Sequence, residues 1–106
     1  MNKTRALKFM HHVDTLIAKA QEAVDGDLPV SNPEACKEIA KPLVIYIIQL
    51  ARYRQEFTKK NPSCDGRIKN QIATGEKLIL DLLPGHREDI LARNDRMRKA
   101  ILETSR

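Results

Sequence analysis

Tryptophan is absent from this 106-residue sequence, and the only large aromatic residues are two Phe and two Tyr. Leu, Ile, Val and Ala must therefore build any core. Four scattered glycines cannot make a nucleotide cradle, and no phosphate loop, nucleophile elbow or paired-carboxylate motif occurs. Without a catalytic constellation the chain reads as a non-enzyme with no cofactor. Two cysteines make no disulfide framework, so a reducing cytoplasm is the expected setting. Nothing approaches the ~20 apolar residues of a membrane span. The longest apolar run is Leu43 to Ile48. The basic start MNKTRALKFMHH is followed by no apolar core and no small-residue cleavage site, so it does not read as a secretory signal.

Hydrophobic residues make up 42% and charged residues 31%, too apolar a balance for a disordered chain. The length suits one domain over 1–106 with a modest core, which makes a partner or self-association a natural expectation. The net charge of +5 favours acidic partners. Its ordinary account is a solvated mixed surface, because 14 acidic residues are interspersed among 19 basic ones.

Steps of three and four place Ala6, Phe9, Met10, Val13, Leu16, Ile17, Ala20 and Val24 on one helical face. Gly26 is the expected left-handed cap, with Pro29 beyond it. Asn32-Pro33-Glu34 predicts a helix start: a side-chain acceptor, a residue with no N–H to lose, and a carboxylate at the positive dipole end. Cys36, Ile39, Ala40, Leu43, Ile47, Leu50, Ala51 and then Arg54 or Phe57 keep the helical step. Pro42, inside that pattern, predicts a kink. Residues 44–48 have strand propensity, but no turn signal separates them from LARYRQEF. Residues 43–51 therefore read as helix, apolar on nearly all sides and covered on several faces. Asn61-Pro62 repeats the cap chemistry before a helix presenting Ile68, Ile72, Gly75, Ile79, Leu82 and Leu83. The apolar seam resumes after Pro84-Gly85 at Ile90, Leu91, Met97 and Ile101, so either a fourth helix starts after a break or one long helix bends at Pro84. The break is preferred because the pair costs about 4 kcal/mol of helix propensity.

Few residues carry obvious chemistry. His11 and His12 are adjacent and diverge by about 100° on a helix, so they do not share an ion easily. His86 and Asp89 have ligand spacing, but no HExxH or CxxC accompanies them and no metal is expected. Cys64, near a helix start, has no partner base nearby in sequence, and Cys36 reads as a small core residue. If the two helices that they begin are antiparallel neighbours, these starts lie at opposite ends, which excludes a disulfide between them.

Two basic clusters remain. One is Arg52-Tyr53-Arg54 with Lys59 and Lys60. The other is RNDRMRK, with Arg93, Arg96, Arg98 and Lys99. Arg52, Arg54, Arg96 and Lys99 are the candidate anion or nucleic-acid contacts. Against this, Asp89 and Asp95 interrupt the second cluster, and cations at a helix C-terminus suit the dipole. A helix-turn-helix reading of the last two helices lacks the apolar and glycine pattern of its turn.

Ile68-Lys69, the spacing of Glu76, Leu78 and Leu82-Leu83, and the acidic-then-apolar step Glu88 to Leu91 give residues 68–102 a distinctive rhythm. This third of the chain resembles the last two helices of the flagellar export chaperones FliT and, less closely, FlgN. The resemblance implies a small cytoplasmic helical bundle that shields a terminal helix of an exported subunit. Some members also bind a transcription regulator.

The expected fold is all-α: a small four-helix bundle with helices near 3–24, 33–59, 64–83 and 86–104, the second kinked and central. The expected function is a non-enzymatic protein-binding module, a chaperone, adaptor or regulator holding a partner helix in an apolar groove. A homodimer is expected, and Leu43, Ile47, Ile48 and Leu50 are the expected partner-binding or dimer residues. The alternative is a small basic nucleic-acid-binding regulator.

Overall fold

The computed structural model describes residues 3–86 and Ala92. The chain is a small all-α helical bundle of α1 (Lys3–Asp25), a one-turn α2 (Leu28–Ser31), α3 (Pro33–Lys60) and α4 (Asp65–Leu82). Tight 3-10 turns follow at Pro62–Cys64 and Pro84–His86. Among the described residues there is no strand, and the β-branched run 44–48 is helical. Helical packing on both sides of that run overrides its strand propensity.

The helix starts follow the cap chemistry. The Asn32 side chain accepts from the Ala35 N–H at 3.2 Å, Pro33 stands at the first helical position and Glu34 lies in the first turn. Pro42 lies inside α3, which nevertheless continues to Lys60. Pro42 has no N–H to offer the Glu38 carbonyl, so one helical bond is missing there. The end of α1 differs from expectation. Gly26 keeps a negative φ, and Asp27 takes the left-handed conformation at φ 60°. Aspartate tolerates that region, so the reversal sits one residue later and leads into α2, with Pro29 in its first turn. Asn61 also departs from a simple cap. Its side chain accepts from the Ser63 hydroxyl at 2.7 Å, and Pro62–Cys64 form a 3-10 turn before α4 begins.

At the far end α4 stops at Leu82, and the Leu83 N–H donates back to the Ile79 carbonyl at 2.9 Å. Pro84 and Gly85 thus break the helix rather than bend it, as their propensities require. Of the helix expected over 86–104, His86 lies in the 3-10 turn and Ala92 is helical and exposed, and the other residues lie outside the described part.

α1, α3 and α4 each pack against the other two. Ala6, Met10, Val13 and Ala20 of α1 are buried, as are Cys36, Ala40, Leu43, Ile47, Leu50 and Phe57 of α3. Ile68, Leu78, Ile79 and Leu82 complete the core from α4. Phe9 packs its ring 5.0 Å from Tyr46 and 5.6 Å from Phe57, joining α1 to α3. α3 comes close to α4 at Gly75. A Cβ there would lie 2.6 Å from Ile47 Cγ1 and nearer still to Cδ1.

Candidate functional site

The expected interface residues part company in the structure. Leu43, Ile47 and Leu50 are at most 2% exposed and fill the chain's own core. Ile48 points outward at 38% exposure, and Ile45, one turn before it, is 55% exposed. Residues 43–51 therefore have buried and exposed sides. α1 and α4 cover two flanks of α3 and leave the third open. At 100° per residue, Glu38, Lys41, Ile45, Ile48, Arg52 and Glu56 lie within an arc of roughly 80°. All six are exposed. The outer face of α3 thus carries two isoleucines framed by a cation and then a carboxylate on either side. Lys41 and Glu38 already stand in a loose, exposed pair at 3.8 Å. A continuous apolar run hides which side of a helix is open. Only the change to charge at 38, 41, 52 and 56 marks it in the sequence.

The first basic cluster divides in the same way. Arg52 is exposed. Arg54 turns inward and grips Asp65 with both ends of its guanidinium, Nε to Oδ1 at 2.8 Å and Nη2 to Oδ2 at 3.1 Å. The Thr58 hydroxyl donates to the same carboxylate at 3.2 Å. Arg54 therefore ties α3 to the start of α4 and is committed to that pair. Arg96 and Lys99 lie outside the described residues.

The hydrogen bond from Arg54 holds the Asp65 carboxyl below the usual carboxylate range, against the upward push of burial. A depressed folded pKa means stability present above the unfolded value and lost as pH falls through the folded one. We expect Asp65→Asn to cost about 1 kcal/mol near neutral pH, about 5 °C in melting temperature. The gap between variant and wild type should close as pH falls below about 4. Thermal melts at pH 7 and at low pH check this, and a gap that persists in acid would contradict it.

A second polar tie joins α1 to α4. The Gln71 amide, 4% exposed, donates to the Met10 carbonyl and to Asp14 Oδ1, each at 2.8 Å. Arg67 donates to Asp14 Oδ2 at 2.6 Å. Burial raises the Asp14 pKa, but the bonds from Gln71 and Arg67 outweigh it and hold the group low. Sequence periodicity missed Gln71, whose type gave no sign that it would be buried.

His11 and His12 are exposed on α1. With Thr4, Leu7, Lys8 and Thr15 they line an open depression of about 520 Å³. The His12 ring meets Tyr46 edge-on at 4.6 Å. Among the described residues no three His, Cys, Asp or Glu side chains are grouped to hold a metal ion. Asp89, the expected mate of His86, is outside the described part. Cys36 and Cys64 are both buried free thiols. Burial pushes the Cys36 thiol pKa up, and the Cys64 thiol lies 3.6 Å from the Phe57 carbonyl. Among the described residues no helix is long and apolar enough to cross a membrane. No protein-family model, characterised protein or solved structure matches the chain.

Proposed function

We propose that this chain is a non-enzymatic, cytoplasmic protein-binding module whose docking surface is the outer face of α3. The observation that carries this reading is the pair Ile45 and Ile48, 55% and 38% exposed, one turn apart on a helix whose other aliphatic residues are buried or partly buried. Two β-branched apolar residues side by side on an open helix face are a natural anchor for a second helix. The module would then act as a chaperone, adaptor or regulator. A secretion-chaperone role, in keeping with the FliT-like rhythm of 68–102, is one form of it. The nucleic-acid alternative is weakened by Arg54, which spends its guanidinium on Asp65.

Capture from native lysate, treated with nuclease, tests the reading. The wild type should retain a discrete protein that Ile45→Lys/Ile48→Lys loses at unchanged helicity. Retention abolished by nuclease, or equal capture by both forms, would contradict it.

A further inference from the structure

We propose that the outer face of α3 pairs with the same face of a second copy of this chain, the two helices antiparallel. The inference rests on the reading of that face as a docking surface and names its partner. The order of charges along the face favours a second copy. Along the stripe the residues run Glu38, Lys41, Ile45, Ile48, Arg52, Glu56. Between Glu38 and Glu56 the sequence of signs reads the same from either end, minus, plus, apolar, apolar, plus, minus. Glu34 and Lys59, exposed in the same arc near the two ends of α3, carry opposite signs and would face each other across an antiparallel pair.

A two-fold axis crossing α3 between Ile45 and Ile48 sets Ile45 against Ile48 of the second copy, twice. Such a contact is isologous, one patch meeting itself. Each end of the contact then gathers Glu38 and Lys41 of one copy with Arg52 and Glu56 of the other. Two carboxylates and two cations make a neutral group. Lys41 and Arg52 start opposite each other, and each lies about one turn from a carboxylate of the other copy. Long side chains span that distance, as they do between helices of coiled coils. The loose Lys41–Glu38 pair, 73% and 75% exposed, exchanges partners at little cost. A partner of uniform charge, whether nucleic acid or an acidic peptide, would meet both signs on this stripe. A second copy meets its complement.

The contact is narrow. Stable interfaces cover about 800 Å² per partner, more than one helix face supplies, so the dimer is weak, with Kd in the range of about 10–500 μM.

Sedimentation of the full chain from about 10 μM to about 1 mM, a span chosen to bracket that range, tests the proposal. The wild type should pass from monomer to dimer. Lys41→Glu/Arg52→Glu makes the four charges flanking the isoleucines all acidic, and Glu38→Lys/Glu56→Lys makes all four basic. All four positions are exposed, so both variants should keep wild-type helicity. Each variant alone should associate at least tenfold more weakly than wild type. An equimolar mixture should form a one-to-one heterodimer at least as tight as the wild-type dimer. A wild type that stays monomeric at the highest concentration would overturn the proposal. So would a dimer indifferent to both variants, or a mixture that does not pair. A monomeric wild type would leave untouched a nuclease-resistant, Ile45- and Ile48-dependent capture of another protein, so the two readings fail separately.

Discussion

Ile47→Asp is expected to unfold the protein at room temperature, while Ile48→Asp, its neighbour in sequence, is expected to cost less than about 1 kcal/mol. Ile47 is 2% exposed and lies against Gly75 at the meeting of α3 and α4. The substitution removes a buried side chain, at about 2–5 kcal/mol, and places a carboxylate where its charge has no solvent, at several kcal/mol more. A domain of this size has about 5–10 kcal/mol in all. Ile48 is 38% exposed, so the same carboxylate there keeps its water. Circular dichroism with urea titration measures both. Equal losses at the two positions would mean that α3 is not oriented as described.

Gly75→Ala is expected to cost about 1–3 kcal/mol, although alanine is the better helix former by about 1 kcal/mol. The added methyl would sit 2.6 Å from Ile47 Cγ1, and a side chain buried between two helices has little room to give. Gly66, also in α4, has nothing within 4 Å of such a methyl, so Gly66→Ala should be neutral or stabilising. In an Ile47→Ala background the Gly75→Ala cost should vanish or change sign. That gives a coupling energy of about 1 kcal/mol or more in a double-mutant cycle. A stabilising Gly75→Ala in the wild-type background would show that the two helices do not approach so closely.

Much of this fold could be read before its structure. Expected bounds of 3–24, 33–59 and 64–83 became Lys3–Asp25, Pro33–Lys60 and Asp65–Leu82. The reasons are local: an Asn-Pro-Glu start, a Pro-Gly stop, and apolar steps of three and four. The misses are local too. Asp27 took the left-handed position expected of Gly26, and a single turn such as α2 has too few residues to show a period. The helical step after Ala51 pointed to Arg54 or Phe57, and the structure uses both. Phe57 fills the core, and Arg54 lies half-buried against Asp65. That pairing spans two helices, and helical periodicity is blind to it. The same limit applies to the site. Periodicity found α3 and its core side through Leu43, Ile47 and Leu50. It could not tell that Ile45 and Ile48 look outward, because exposure depends on where α1 and α4 lie.

Methyl spectra of isoleucine-labelled protein, with a soluble paramagnetic agent, test the open face of α3 most directly. In dilute protein the Ile45 and Ile48 methyls should relax strongly, while those of Ile47 and Ile68, 2% and 0% exposed, stay shielded. Raising the concentration should shield Ile45 and Ile48 and leave the buried pair unchanged. Ile45 and Ile48 methyls already shielded in dilute solution, or as exposed at high concentration as at low, would contradict the account.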